Sequence, residues 1–182
     1  MDYFLFAFWF FLPAGLANAS PVIANKIPVL NRFKTPLDFG KSFKGKRIFG
    51  DNKTWRGLLF GVFVAMVGGW MVHIVNPDVL YKLGDVPAYS LGKMLLIGGL
   101  LGFGALLGDA IESFFKRQYG VPSGDPWFPL DQIDYIFGGA IMVMPVVVLT
   151  PLGYLMLFVV WFGMHLLVAY IAYLLGLKDK PI

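Results

Sequence analysis

The sequence predicts an all-α polytopic membrane protein with five transmembrane helices, its N-terminus outside and its C-terminus in the cytoplasm. Three observations predict it. Of 182 residues, 58% are hydrophobic and only 14% charged. The apolar residues fall into five runs of roughly the 20 residues that a helix needs to cross a bilayer, and the cations collect in some connecting segments while avoiding others. A mean hydropathy of +0.70 leaves more apolar surface than a soluble domain of this length can bury. The absence of cysteine excludes disulfides, thiolate metal sites and thiol nucleophiles.

Residues 1–182 read as a single transmembrane domain with helices at about 3–24, 57–75, 91–115, 133–150 and 152–177, and with cytoplasmic loops at 25–56 and 116–132. Only a helix satisfies its own backbone within hydrocarbon, so irregular chain is not expected in these runs. The first helix carries Pro13 and Pro21 and is expected to kink or break near its end. Ala17-Asn18-Ala19 imitates a signal cleavage site, but Asp2 is the only charge before the run, so the segment reads as a retained helix. Pro151 is a short hinge that makes the last two helices an antiparallel pair.

Orientation follows from the cations. Loop 25–56 holds Lys26, Arg32, Lys34, Lys41, Lys44, Lys46, Arg47, Lys53 and Arg56. Lys116 and Arg117 follow the third helix, and Lys178 and Lys180 end the chain. The opposite side has only Lys82, with Lys93 just inside helix three. The positive-inside rule therefore puts the long basic loop in the cytoplasm.

The candidate active site is the stretch from Asp109 to Asp134, where acids interrupt hydrocarbon at a helix end and are costly unless they serve ions or substrates. Asp109, Glu112, Ser113, Lys116 and Arg117 share one stripe of the third helix, continuing a run of glycines that lets a neighbouring helix or a lipid tail approach. Asp131 and Asp134 share one face of the fourth helix. Carboxylates at such a place suit Mg²⁺, which prefers hard oxygen ligands; the expected ligands are Asp109, Asp131 and Asp134. The structural reading makes Asp131 a helix cap and pairs Asp109 with Lys116 or Arg117. The loop from Gly45 to Gly57 runs into the second helix, where unpaired N–H groups and cations suit phosphate. For Lys41, Lys44 and Lys46 the equal alternative is a basic collar on anionic headgroups. Asn52, Lys53 and Arg56 read as substrate-binding. His73 and His165 lie far from these groups and read as packing residues.

The order G-D-N-K-T-W-R-G, then G-A-L-L-G-D-A-I-E-S-F-F-K-R, then P-W-F-P-L-D-Q-I-D resembles the archaeal CDP-archaeol synthases over nearly the whole chain. These are small five-helix membrane enzymes distantly similar to CDP-diacylglycerol synthases. Against that wider signature, Asp131-Gln132-Ile133-Asp134 resembles a D-R-x-D end with Gln132 in place of arginine, and no histidine-bearing P-G-H-G-G run is present. The resemblance implies transfer of a cytidylyl group from CTP to a polyprenyl ether lipid phosphate (unsaturated archaetidic acid), with Mg²⁺, giving CDP-archaeol and pyrophosphate. Independently of the resemblance, the residues point to Asp109, Asp131, Asp134 and Lys116 as catalytic, with Lys53, Arg56, Lys116 and Arg117 as the candidate phosphate clamp. Asn52, Lys53, Thr54, Arg56, Glu112, Ser113, Arg117 and Gln132 then form the substrate-binding set. The partners expected are CTP, the lipid phosphate and the membrane, with no nucleic acid. Alternatives are a related enzyme on another lipid phosphate, or a small transporter, although no internal repeat is visible.

Overall fold

A computed structural model describes residues 3–76, 78, 89–122 and 125–176. Asp2, Lys82, Ser123, Gly124, Leu177, Lys178 and Lys180 therefore lie outside the described residues. Among the described residues there are five α-helices: α1 Tyr3–Lys26, α2 Trp55–Val75, α3 Leu91–Tyr119, α4 Leu130–Val143 and α5 Pro151–Leu174. All but α4 are long and apolar enough to cross a membrane.

Each helix begins or ends where local chemistry requires. Thr54, Ser90 and Thr150 cap α2, α3 and α5, their hydroxyls accepting from the N–H groups of Gly57, Lys93 and Gly153. Gly120, at φ 80°, closes α3 in the left-handed conformation. This helix runs one turn beyond the expected end at 115, so Lys116 and Arg117 are helical rather than loop residues. The expected fourth helix over 133–150 is instead 130–143. Pro145 has no N–H to continue the ladder, and the chain turns at 144–146 and then runs extended to α5. At 14 residues, α4 is about 21 Å long, shorter than a bilayer core.

Helix α1 does not break at its prolines. Pro21 deprives the Ala17 carbonyl of its usual helical donor, and the Ser20 hydroxyl donates to that oxygen instead, at 2.8 Å. The core lies between α1, α3, α4 and α5, where Phe10, Phe11, Leu101, Ile136, Leu157 and Trp161 are buried. Helix α2 packs against α1 and α3 through Ala17, Ala65 and Leu106. Phe137 packs against Phe158 with the rings tilted, while Tyr135, nearer the start of α4, reaches Trp161 and His165. The residue order descends along α5 as it rises along α4, so the two helices are antiparallel, and His165 packs as expected.

Loop 27–54 folds into a lobe over one end of the bundle. It contains a 3-10 turn at Leu30–Arg32 and a two-stranded antiparallel hairpin, β1 Ser42–Phe43 and β2 Lys46–Arg47. Lys44 and Gly45 both take positive φ at its tip, as a two-residue hairpin turn demands. This hairpin is a small addition to the all-α expectation.

Candidate active site

Glycines determine how the carboxylates meet. A side chain at Gly138 would collide with the backbone of Gly104 and Gly108, and one at Gly108 with the backbone of Asp134 and Gly138. Helices α3 and α4 thus touch backbone to backbone. Because Asp109 follows Gly108 and Asp134 precedes Gly138 by one turn, the contact brings the two acids together. The glycine stripe of α3 is filled by neighbours, with Gly98 and Gly102 against Ala65 of α2 and Gly104 and Gly108 against α4. At these positions the neighbouring helix, not a lipid tail, takes the space.

Carboxylate oxygens of Asp109, Glu112 and Asp134 lie within 4.8 Å of one another. Glu112, expected among substrate contacts, thus stands in this group where Asp131 was expected. Asp131 faces the Lys116 ammonium, 2.6 Å from its Oδ1, and Lys116 also lies 3.4 Å from Glu112 Oε1. The Lys116 ammonium thus ties an acid of α3 to an acid of α4 by ion-pair contacts. Asp131 does not cap α4 as its first residue would, since Pro129 holds the cap position. Its other oxygen accepts from the Trp127 N–H at 2.9 Å.

Lys53 reaches in from the lobe, its ammonium 2.7 and 2.6 Å from the two oxygens of Asp109. Asp109 therefore pairs with Lys53 rather than with Lys116 or Arg117 on its own helix. Four carboxylates now face two ammonium groups, a formal imbalance of two negative charges at a place where unpaired charge is costly. A hard divalent cation fits this donor set in charge and ligand type; Asp109, Glu112 and Asp134 would hold it.

Other expected residues divide. Ser113 and Gln132 are buried beside the cluster on α3 and α4, and Gln132 Oε1 has no hydrogen-bond partner. Arg117 donates to the Pro122 carbonyl at 3.2 Å, and Asn52 is exposed between the lobe and α2. Arg56 points elsewhere. Its guanidinium donates to Leu30 O at 3.2 Å and Asn31 Oδ1 at 3.3 Å, and contacts Asn25 Oδ1, so it ties the end of α1 to α2. Thr54 is likewise occupied in capping α2.

Sequence reasoning missed Asp38. Its buried carboxylate accepts from the N–H groups of Gly40, Phe49 and Gly50 at 2.9, 2.9 and 3.1 Å and from Arg47 at 2.7 Å. Burial alone would raise its pKa, but the Arg47 hydrogen bond and the three backbone donors outweigh that and hold it well below the usual carboxylate range. Asp38, and then Asp51 at 2.6 Å, in turn raise the pKa of Arg47. The lobe so organised is fastened to α3, where Lys46 donates to the Gln118 carbonyl at 2.6 Å. The available signal was that Asp38 and Asp51 are the two acids in a loop rich in cations.

Apolar helices of spanning length with a partly buried acidic cluster at one end, clamped by lysines from two elements, define a membrane-embedded enzyme. The chain belongs to the CDP-archaeol synthase family, described as CarS-like, whose pattern matches residues 1–182. It is 40% identical over 178 residues to the CDP-archaeol synthase of Thermococcus onnurineus, covering 97% of this chain and 96% of the relative. It is 37% identical over 176 residues to that of Pyrococcus abyssi, with 96% of each covered. A solved structure, described as an intramembrane enzyme for archaeal membrane lipids biosynthesis, aligns with a TM-score of 0.71 and 29% identity over 89% of this chain and 91% of that one.

Proposed function

We propose that the chain transfers a cytidylyl group from CTP to unsaturated archaetidic acid, a digeranylgeranylglyceryl phosphate, releasing pyrophosphate and giving CDP-archaeol. The observation that carries this reading is the convergence of Asp109, Glu112 and Asp134 with Lys53 and Lys116 at the helix ends beneath the lobe. A phosphate oxygen of the lipid forms the new bond to the α-phosphorus of CTP, and the bond to the β-phosphate bridging oxygen breaks with its electron pair leaving on pyrophosphate. The lipid phosphate is already anionic at neutral pH, so the protein must align two anions and neutralise them rather than supply a strong base. Bound at the three carboxylates, Mg²⁺ would offset negative charge on the phosphates.

Carboxylates hold Lys53 and Lys116, and each flexible stem can swing its ammonium toward phosphate as a point charge. Asp131 keeps Lys116 beside Glu112. Ser113 and the unpartnered Gln132 carbonyl offer hydrogen-bonding groups for nucleotide, and Arg117 completes the cationic side.

Five crossings require α4 and the stretch after it to complete one span together; Val147 and Leu149 turn inward there while the apolar Met144 and Val148 face outward, a pattern that suits an apolar surrounding. With the basic lobe inside, the active site faces the cytoplasm and the N-terminus lies outside. Purified protein incubated with labelled CTP, Mg²⁺ and lipid phosphate should form labelled CDP-lipid. Solute flux without that product would support a transporter, and product only with another lipid phosphate would change the acceptor.

A further inference from the structure

The lobe carries exposed aromatic rings as well as cations. On α2, the exposed residues Trp55, Leu59, Phe63, Met66, Trp70 and Ile74 form one stripe at helical spacing, the face a spanning helix turns to lipid. Trp55 is the end of that stripe, and Phe39 of the lobe lies against it with ring centroids 6.0 Å apart. Phe39 is itself 64% exposed. On α3 the outward residues Phe103, Ile111 and Phe115 end beside Phe114, and exposed Phe43 of the hairpin lies 6.0 Å from the Phe114 ring. Two lobe rings thus prolong the lipid-facing stripes of two different helices.

Phe39 is held at φ 50°, a backbone conformation unfavourable for a bulky side chain. The same turn buries Asp38 and projects the ring outward. Between and beside the rings, Lys41 and Lys44 are exposed, and the Lys44 ammonium lies 5.5 Å from the Phe43 ring centroid. Rings level with the ends of spanning helices and cations around them match the boundary between acyl chains and anionic headgroups. We infer that the lobe is a membrane-surface module: Phe39 and Phe43 insert at the acyl boundary beside α2 and α3, and Lys41 and Lys44 bind anionic lipid headgroups. Asp38 and Arg47 keep the lobe rigid, so this seating also fixes the height of the loop above the helix ends.

Absence of cysteine makes the test direct. Ser42→Cys, exposed beside the two lysines and carrying an environment-sensitive fluorophore, is placed in nanodiscs containing a nitroxide-headgroup lipid. In anionic discs the label should emit at shorter wavelength than in water and be strongly quenched. Quenching should fall severalfold in neutral discs, and again when Phe39→Ser and Phe43→Ser are added. A water-like label in anionic discs, equal quenching in neutral discs, or indifference to loss of the rings would overturn the inference. Hydrogen exchange of the unsubstituted chain gives a second readout: amides of residues 39–45 should exchange more slowly in anionic than in neutral discs, and equal rates would overturn it.

Discussion

The Lys53 ammonium sits between both oxygens of Asp109, at 2.7 and 2.6 Å, although 56 positions separate the two residues. It therefore occupies the carboxylate that the proposed cation needs, and in the proposed mechanism it would turn toward phosphate once that cation binds. Lys53→Met should lower the Mg²⁺ concentration for half-maximal activity. At saturating Mg²⁺ it should reduce turnover by about 10²–10³, the usual loss on removing one charge-stabilising donor. Titrating activity with Mg²⁺ in the variant measures both effects.

Gly138 bears on the same site through backbone. A methyl there meets the Gly104 carbonyl and Gly108 Cα, so α4 must move away from α3. Gly138→Ala should cost about 1–3 kcal/mol and separate Asp134 from Asp109. Thermal unfolding in detergent should register the first effect, and loss of activity out of proportion to it the second.

A contrasting case is Ser20, remote from the chemistry. Ser20→Ala leaves the Ala17 carbonyl beside Pro21 without its hydroxyl donor. The variant should lose about 1–3 kcal/mol of stability while turnover per folded molecule stays unchanged. Reduced turnover at full folding would show that the bond does more than repair the helix.

Much of this was legible in the sequence. Charge at a helix end singled out Asp109, Asp131, Asp134 and Lys116, and glycine spacing announced a close helix contact. The partner of each acid was not legible, because helical periodicity describes one helix and Lys53 arrives from another element. Asp131 and Glu112 stand in other positions than expected for that reason: the α3–α4 contact, set by Gly108 and Gly138, turns Glu112 toward Asp134 and leaves Asp131 to Lys116. Arg56 read as a substrate cation because Asn25 and Asn31, its partners, carry no charge to betray them. Pro145 was the visible signal for the short fourth helix.

Asp38 gives the lobe a pH dependence. Its carboxyl ionises at lower pH folded than unfolded, so its stabilisation is fully present above the ordinary value near 3.8 and is lost as pH falls through the depressed folded value. Lobe protection, followed by hydrogen exchange at Phe49 and Gly50, should hold steady at neutral pH and decline only below about pH 4. Asp38→Asn should remove that acid slope and weaken protection throughout; an unchanged profile would dismiss Asp38 as the organiser of the lobe.

Asp109, Glu112 and Asp134, drawn from two helices, are proposed to share one divalent cation. The most direct test of this sharing is Mg²⁺ titration of cytidylyl transfer in Asp109→Asn, Glu112→Gln, Asp134→Asn and Asp131→Asn. The first three should each need far more Mg²⁺ and lose most turnover, whereas Asp131→Asn should lose turnover with its Mg²⁺ requirement unchanged. An unaltered requirement in the first three, or a shift confined to Asp131→Asn, would contradict the account.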